Sequence, residues 1–173
     1  MPMTRRTFVK TAGAFAAPLL LPSSVLGFNA PGPNAAIGVG FIGMGKRAFE
    51  LFGSFLSNPA TRVVAACDVD TTRRNHAKMI ADTHYKTNGS GGIAVFDNYR
   101  ELIAMSGIDA VVIATPDHWH INMIIEAAKA KRDIYCEKPL TLTLLECKLA
   151  IEAVRKYNVV LQTRSEEHTS ELQ

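Results

Sequence analysis

Acidic residues are missing from the start of this chain, where none precedes Glu50. Cysteine is scarce at three, tryptophan occurs once, and no apolar run reaches the roughly 20 residues that a spanning helix needs. No stable membrane span is therefore expected. Cys67, Cys136 and Cys147 show no metal or redox spacing, and the first two fall in apolar, strand-like runs. They read as small buried hydrophobes in preference to a disulfide framework. Charge of one sign is also lacking. Between residues 28 and 163, 15 Lys and Arg stand against 13 Asp and Glu, a net of +2, and no basic run exceeds two residues. That balance excludes a nucleic-acid surface.

Most of the formal charge of +3 belongs to the N-terminus, where Arg5, Arg6 and Lys10 are uncompensated. Thr4-Arg5-Arg6-Thr7-Phe8-Val9-Lys10 is a basic segment followed by a short apolar stretch, Thr11 to Leu21, with prolines at 18 and 22. The pattern fits a removable export signal over residues 1–27, and the paired arginines resemble the twin-arginine type. The expected partner is the twin-arginine export machinery, and the expected location is periplasmic or otherwise extracytoplasmic. Residues 28–36, rich in Pro, Gly and Asn, read as a linker.

From residue 37 to 163 the chain alternates apolar runs of strand length with helical patterns. The expected strands are Ile37–Ile42, Val63–Cys67, Ile93–Phe96, Ala110–Ala114, Ile134–Cys136 and Val159–Leu161. Between them lie helical faces: Ala48, Leu51, Phe52 and Phe55; residues 71–83; residues 99–105; Ile121, Ile124, Ile125 and Ala128. A last helix should point Cys147, Ala150, Ile151 and Val154 inward. Thr143-Leu144-Leu145-Glu146 is a capping box opening that helix. Continuous apolar strands separated by helices imply an α/β fold with a parallel sheet covered on both faces. The doubly wound Rossmann arrangement, six strands in the order 3-2-1-4-5-6, is the natural choice.

The first βα turn agrees. Gly43-Met44-Gly45-Lys46-Arg47-Ala48 matches the dinucleotide-binding pattern G-x-G-x-x-G/A directly after a strand. Gly43 would permit the tight turn, Gly45 would let a diphosphate approach bare backbone, and Ala48 would let helix and strand pack closely. Asp68 ends the next strand, 20 residues after Ala48, where its carboxylate can accept hydrogen bonds from ribose hydroxyls. A carboxylate there repels a 2′-phosphate, so NAD is expected ahead of NADP. Arg73 and Arg74 keep NADP open.

Two further stretches fall at strand ends, where this fold binds ligands: Thr115-Pro116-Asp117-His118-Trp119-His120 and Glu137-Lys138-Pro139. With GFIGMGKRA, ACDVD, ATPDHWH and YCEKPLT in order, residues 37 to about 163 resemble the glucose–fructose oxidoreductase/inositol dehydrogenase/MocA family. The resemblance implies hydride transfer between a sugar or polyol hydroxyl carbon and nicotinamide. Lys138 would be the catalytic residue, steadying charge on the substrate oxygen. Glu137 would orient Lys138, and Pro139 would shape the turn. Thr115, Pro116 and His120 match the family's cofactor-side loop, and Trp119 would wall the nicotinamide or substrate pocket. For His120 alone, a helix-start residue bonded to backbone is an equal reading. Asp117, His118 and His120 are metal-ligand types, but alternate spacing on an extended loop would point the two histidines apart, so no metal is expected.

The resemblance also implies a following substrate domain, whose sheet shields the nicotinamide and which usually carries the His that serves as base. The full-length enzyme is expected to be a homo-oligomer. Residues 164–173 instead carry three glutamates and no apolar run. They are expected to form a disordered tail, and their letters resemble an in-frame translation of a sequencing adapter. Two other functions stay open on this reading. One is glycoside hydrolysis through transient oxidation by bound NAD, as some relatives perform. The other is a non-catalytic sugar or nucleotide sensor.

Overall fold

Neighbouring residues of a strand face opposite ways, so a strand that is apolar at every position must serve two cores. The computed structural model describes residues 36–87 and 91–164, and its strands do this. The elements run β1 (Ile37–Ile42), α1 (Lys46–Ser57), β2 (Thr61–Cys67), α2 (Thr71–Thr87), β3 (Ala94–Phe96) and α3 (Tyr99–Ala104). They continue with β4 (Ala110–Ile113), a 3-10 turn (Asp117–Trp119), α4 (His120–Lys129), β5 (Asp133–Cys136), α5 (Leu144–Tyr157) and β6 (Leu161–Thr163). The six strands form one sheet in the order β3-β2-β1-β4-β5-β6, and every neighbouring pair is parallel. This is the expected doubly wound Rossmann fold.

One core joins Val39, Phe41, Val63, Ala66 and Val112 to α1 and α2 through Ala48, Phe52, Leu56, Ala77 and Ala81. Phe41 anchors it with edge-on contacts to Phe52 at 5.0 Å and Phe55 at 5.3 Å. The other core takes the alternate strand residues, Ile42, Val111, Ile113, Ile134 and Cys136, against Leu102, Ile121, Ile124, Ala127, Ala150 and Ala153. A register shift between Val39 and Gly40 lets β1 keep its pairing with the longer β2.

Several element bounds differ from expectation, β2 beginning at Thr61 and α2 running on to Thr87 among them. Two differences near the end of the domain have a clear physical cause. Ile151 is 44% exposed, and Ala153 is buried in its place. α5 lies close to α4, so the inward stripe is set by small residues, Ala150 and Ala153. The last strand starts two residues later than expected. Asn158 ends α5 in the left-handed conformation (φ 53°), and the Val159 amide still donates to the Val154 carbonyl, so Val159 belongs to the helix end. Arg164, assigned above to the tail, donates its amide to the Cys136 carbonyl.

The export signal, most of the linker and the tail from residue 165 lie outside the described residues. Among the described residues no helix is long and apolar enough to cross a membrane.

Candidate functional site

The strand order reverses between β1 and β4, and loops leaving their carboxyl ends must diverge there, opening a crevice. A cavity of about 760 Å³ lies at these ends. Gly43, Gly45, Lys46 and Arg47 line it from the first turn, Asp68 from the end of β2, and Thr115, Pro116 and Trp119 from the loop after β4. Eight of the residues expected from the sequence thus share one cavity.

The first turn can exist only with glycine at its start. Gly43 has φ of 86°, and a Cβ there would stand 2.8 Å from Thr115 Cγ2 and 2.9 Å from the Ala114 carbonyl oxygen. Gly45 is different: a Cβ would meet nothing within 4 Å, because the residue borders the cavity. Met44 and Ala48 do not line the cavity; both are fully buried and lock turn and helix into the α1 core.

Gly45 is also the N-cap of α1, and it supplies no side chain to its helix. The first helical hydrogen bond runs from the Phe49 amide to the Gly45 carbonyl at 3.2 Å, which leaves the earlier amides of the first turn without helical acceptors. No acidic residue occupies that turn, whereas Lys46 and Arg47 do. An anion is the complement to such an end.

Asp68 is 9% exposed. One carboxylate oxygen accepts the Met44 amide at 2.6 Å and the other the Asp70 amide at 2.8 Å. Each oxygen keeps a second lone pair for a hydroxyl donor. The two arginines that kept NADP open are separated by the structure. Arg73 lines the cavity, while Arg74 spends Nη1 on the Asp68 and Val69 carbonyls at 3.0 and 3.2 Å.

His120 is 1% exposed and lies behind the cavity wall. Its ring nitrogens sit 2.8 Å from the Pro139 carbonyl oxygen and 3.0 Å from that of Thr115. Both partners are acceptors, so a neutral ring donates to only one of them. Either way, His120 ties the loop after β4 to the turn after β5. The segment expected as an extended loop is a 3-10 turn carrying Asp117, His118 and a half-exposed Trp119. No group of three metal-ligating side chains occurs among the described residues.

Glu137 and Lys138 follow β5, level with the end of β4 through the pairing of Ile113 with Cys136. Lys138 is exposed and precedes a cis peptide to Pro139. Glu137 is 4% exposed, and its carboxylate meets Arg47 Nε at 2.8 Å. It reaches Lys138 through the main chain, where the Lys138 amide donates at 3.4 Å. Arg164 Nη1 stands 3.7 Å from the same carboxylate. Arg47, bonded first to Glu137 and then to Glu50, is held still more firmly protonated than a free guanidinium.

Asn98, the N-cap of α3 just past β3, and Arg100 in the first turn of that helix also line the cavity and are not among the site residues expected from the sequence. The rule that ligands gather at the carboxyl ends of strands would have found them, since β3 ends there too. Cys67 and Cys136 are free and buried, and burial pushes both thiols up to about 12.

A family model described as an oxidoreductase family with an NAD-binding Rossmann fold matches residues 37–165. A glycosyl hydrolase family 109 protein of Shewanella putrefaciens is 31% identical over 163 residues, covering 83% of this chain and 35% of the relative. This chain therefore spans about a third of the length of the curated relatives it matches. The crystal structure of myo-inositol 2-dehydrogenase from Lactobacillus plantarum superposes with a TM-score of 0.64 at 25% identity, over 75% of this chain and 36% of that one. A 3-ketoreductase variant from Actinomadura kijaniata, in complex with TDP-benzene and NADP, gives 0.63 at 25% identity, over 75% and 37% of the two chains.

Proposed function

This chain belongs to the glucose–fructose oxidoreductase/inositol dehydrogenase/MocA family, and we propose that it is the cofactor-binding module of an exported, NAD-dependent sugar or polyol oxidoreductase. The observation that carries the cofactor reading is the uncapped start of α1, opening through Gly45 onto the same cavity as the Asp68 carboxylate. The residues present fit the group. The first-turn amides, with Lys46 and Arg47, suit a diphosphate, and Asp68 retains acceptor capacity for two ribose hydroxyls. Asp68 also disfavours a 2′-phosphate, which supports NAD over NADP; of the two arginines in the first turn of α2, Arg73 lines the cavity.

When bound, the nicotinamide supplies the hydride acceptor. The rest falls to the chain's own residues. Thr115 and Pro116 shape the wall after β4, and Trp119 offers an aromatic face at the cavity edge. Lys138 Nζ donates to the substrate oxygen and offsets charge as the hydroxyl loses its proton. A substrate domain, within the additional length that the relatives have, would complete the pocket. A sugar or polyol is supported by the inositol dehydrogenase among the similar structures.

Export is supported by the Arg5-Arg6 segment. Nicotinamide cofactors are made in the cytoplasm, so an enzyme working beyond the membrane must fold around its cofactor first. A route that carries folded proteins suits that need. A second reading, hydrolysis of a glycoside through transient oxidation, is favoured by the relative named for glycosyl hydrolase family 109.

Product analysis with the complete enzyme separates the two. The oxidoreductase reading expects oxidised product and NADH in equal amounts, and Lys138→Ala should lower turnover by about 10²–10⁴. Free sugar without net cofactor reduction would establish the hydrolase instead. Turnover that survives Lys138→Ala would overturn the role of that lysine.

A further inference from the structure

A carboxylate that is almost entirely withdrawn from water needs a partner, and Glu137 takes its closest one from 90 residues earlier in the chain. Arg47 Nε donates to Glu137 Oε1 at 2.8 Å, and Nη1 meets Glu50. Nη2 makes no hydrogen bond among the described residues, and Arg47 lines the cavity with its side chain 37% exposed. One guanidinium therefore stands in the first turn of α1, borders the cavity, and holds the carboxylate beside Lys138.

We infer that Arg47 is a positioning residue that couples an anion at the start of α1 to the turn Glu137-Lys138-Pro139. The inference rests on the reading above that a diphosphate occupies that helix end. A guanidinium has five N–H donors in a fixed fork, so it can meet an anion with one edge while Nε keeps the carboxylate. An anion that fixes Arg47 then fixes Glu137, and through the Lys138 amide it fixes the turn that presents the lysine. By linkage the effect is reciprocal: an ordered turn holds Arg47 ready for the anion. A second brace on this turn, His120 on the Pro139 carbonyl, comes from the start of α4 and does not border the cavity.

ADP is the probe, because it carries the diphosphate without a nicotinamide that would cover Lys138 directly. Hydrogen–deuterium exchange of the whole chain is followed with and without saturating ADP. In the unmodified chain ADP should slow exchange in the peptide around residues 43–49 and also in that around 137–142. The second effect is expected at about fivefold, the low end of common site-to-site couplings. Arg47→Gln should bind ADP more weakly; at a concentration that saturates the variant, the first-turn amides and Lys46 should still give the first effect while the second is lost. Arg47→Lys, which keeps the charge without the fork, should lose it as well. Should Arg47→Gln fail to fold with Glu137 deprived of its nearest cation, Arg47→Gln combined with Glu137→Gln removes both charges, and it should show protection at 43–49 alone. Protection at 43–49 with no change at 137–142 in the unmodified chain would overturn the coupling and leave the diphosphate reading standing. Protection at neither segment would overturn both.

Discussion

Helices α1 and α5 begin in opposite ways. α5 closes its own start: Thr143 accepts the Glu146 amide at 3.2 Å, Glu146 accepts the amides of Leu142 and Thr143, and the capping box is complete. α1 begins at a glycine with no capping side chain, no acid in its first turn, and two basic residues instead. The first arrangement satisfies a helix end with the chain's own groups. The second leaves the end to be satisfied from outside, and the cavity lies there. A missing cap is thus informative in the same way as a present one, provided the end opens onto a cavity.

The contrast can be broken most severely by giving α1 what α5 has. Gly45→Asp places a capping carboxylate where a Cβ finds open space, so the chain should fold at least as well as before. The same carboxylate occupies the anion's place and repels it. NAD⁺ affinity, read by calorimetry, should fall by about a hundredfold or more, while urea melts show equal or higher stability. Loss of folding, or unchanged affinity, would remove the distinction between the two helix ends.

Asp68→Ala is expected to act next most strongly. It removes the acceptor for the ribose and two bonds that hold the first turn, from the Met44 and Asp70 amides. NAD⁺ binding should weaken by about 1–3 kcal/mol, with preference shifting toward NADP⁺. Equal weakening toward both cofactors would mean that Asp68 serves only the turn.

Thr143→Ala should have the smallest effect and the opposite character. Losing the cap costs about 1 kcal/mol of stability in a denaturant melt. NAD⁺ affinity should not move, since Thr143 does not line the cavity. A change in affinity would show that the two ends are not independent.

The parts legible in the sequence are those fixed by local chemistry. Alternation of apolar runs predicts the sheet, Thr143 with Glu146 predicts the cap, and two glycines after β1 predict the turn whose φ of 86° only glycine takes without strain. Less legible are features set by packing. Ile151 looks inward by period, but the close approach of α4 and α5 selects Ala150 and Ala153 for the interface. Val159 and Val160 look like a strand, but the left-handed Asn158 keeps the first tied to α5 and leaves the second 64% exposed. The lysine turn is legible by its place at a strand end, but its role comes through family resemblance alone, and most of its supports are not legible. No periodicity links Arg47 to Glu137 across 90 positions. A helix-start His120 bonded to backbone is one of the two readings the sequence offers, but its partner at Pro139 is not legible.

The central claim is that the uncapped end of α1 and the Asp68 carboxylate together form a site for NAD. Calorimetric titration of the chain with NAD⁺ and NADP⁺ under identical conditions tests it most directly. The account predicts saturable binding of one NAD⁺ per chain, tighter than that of NADP⁺. Equal or tighter binding of NADP⁺, or no binding of either, would contradict it.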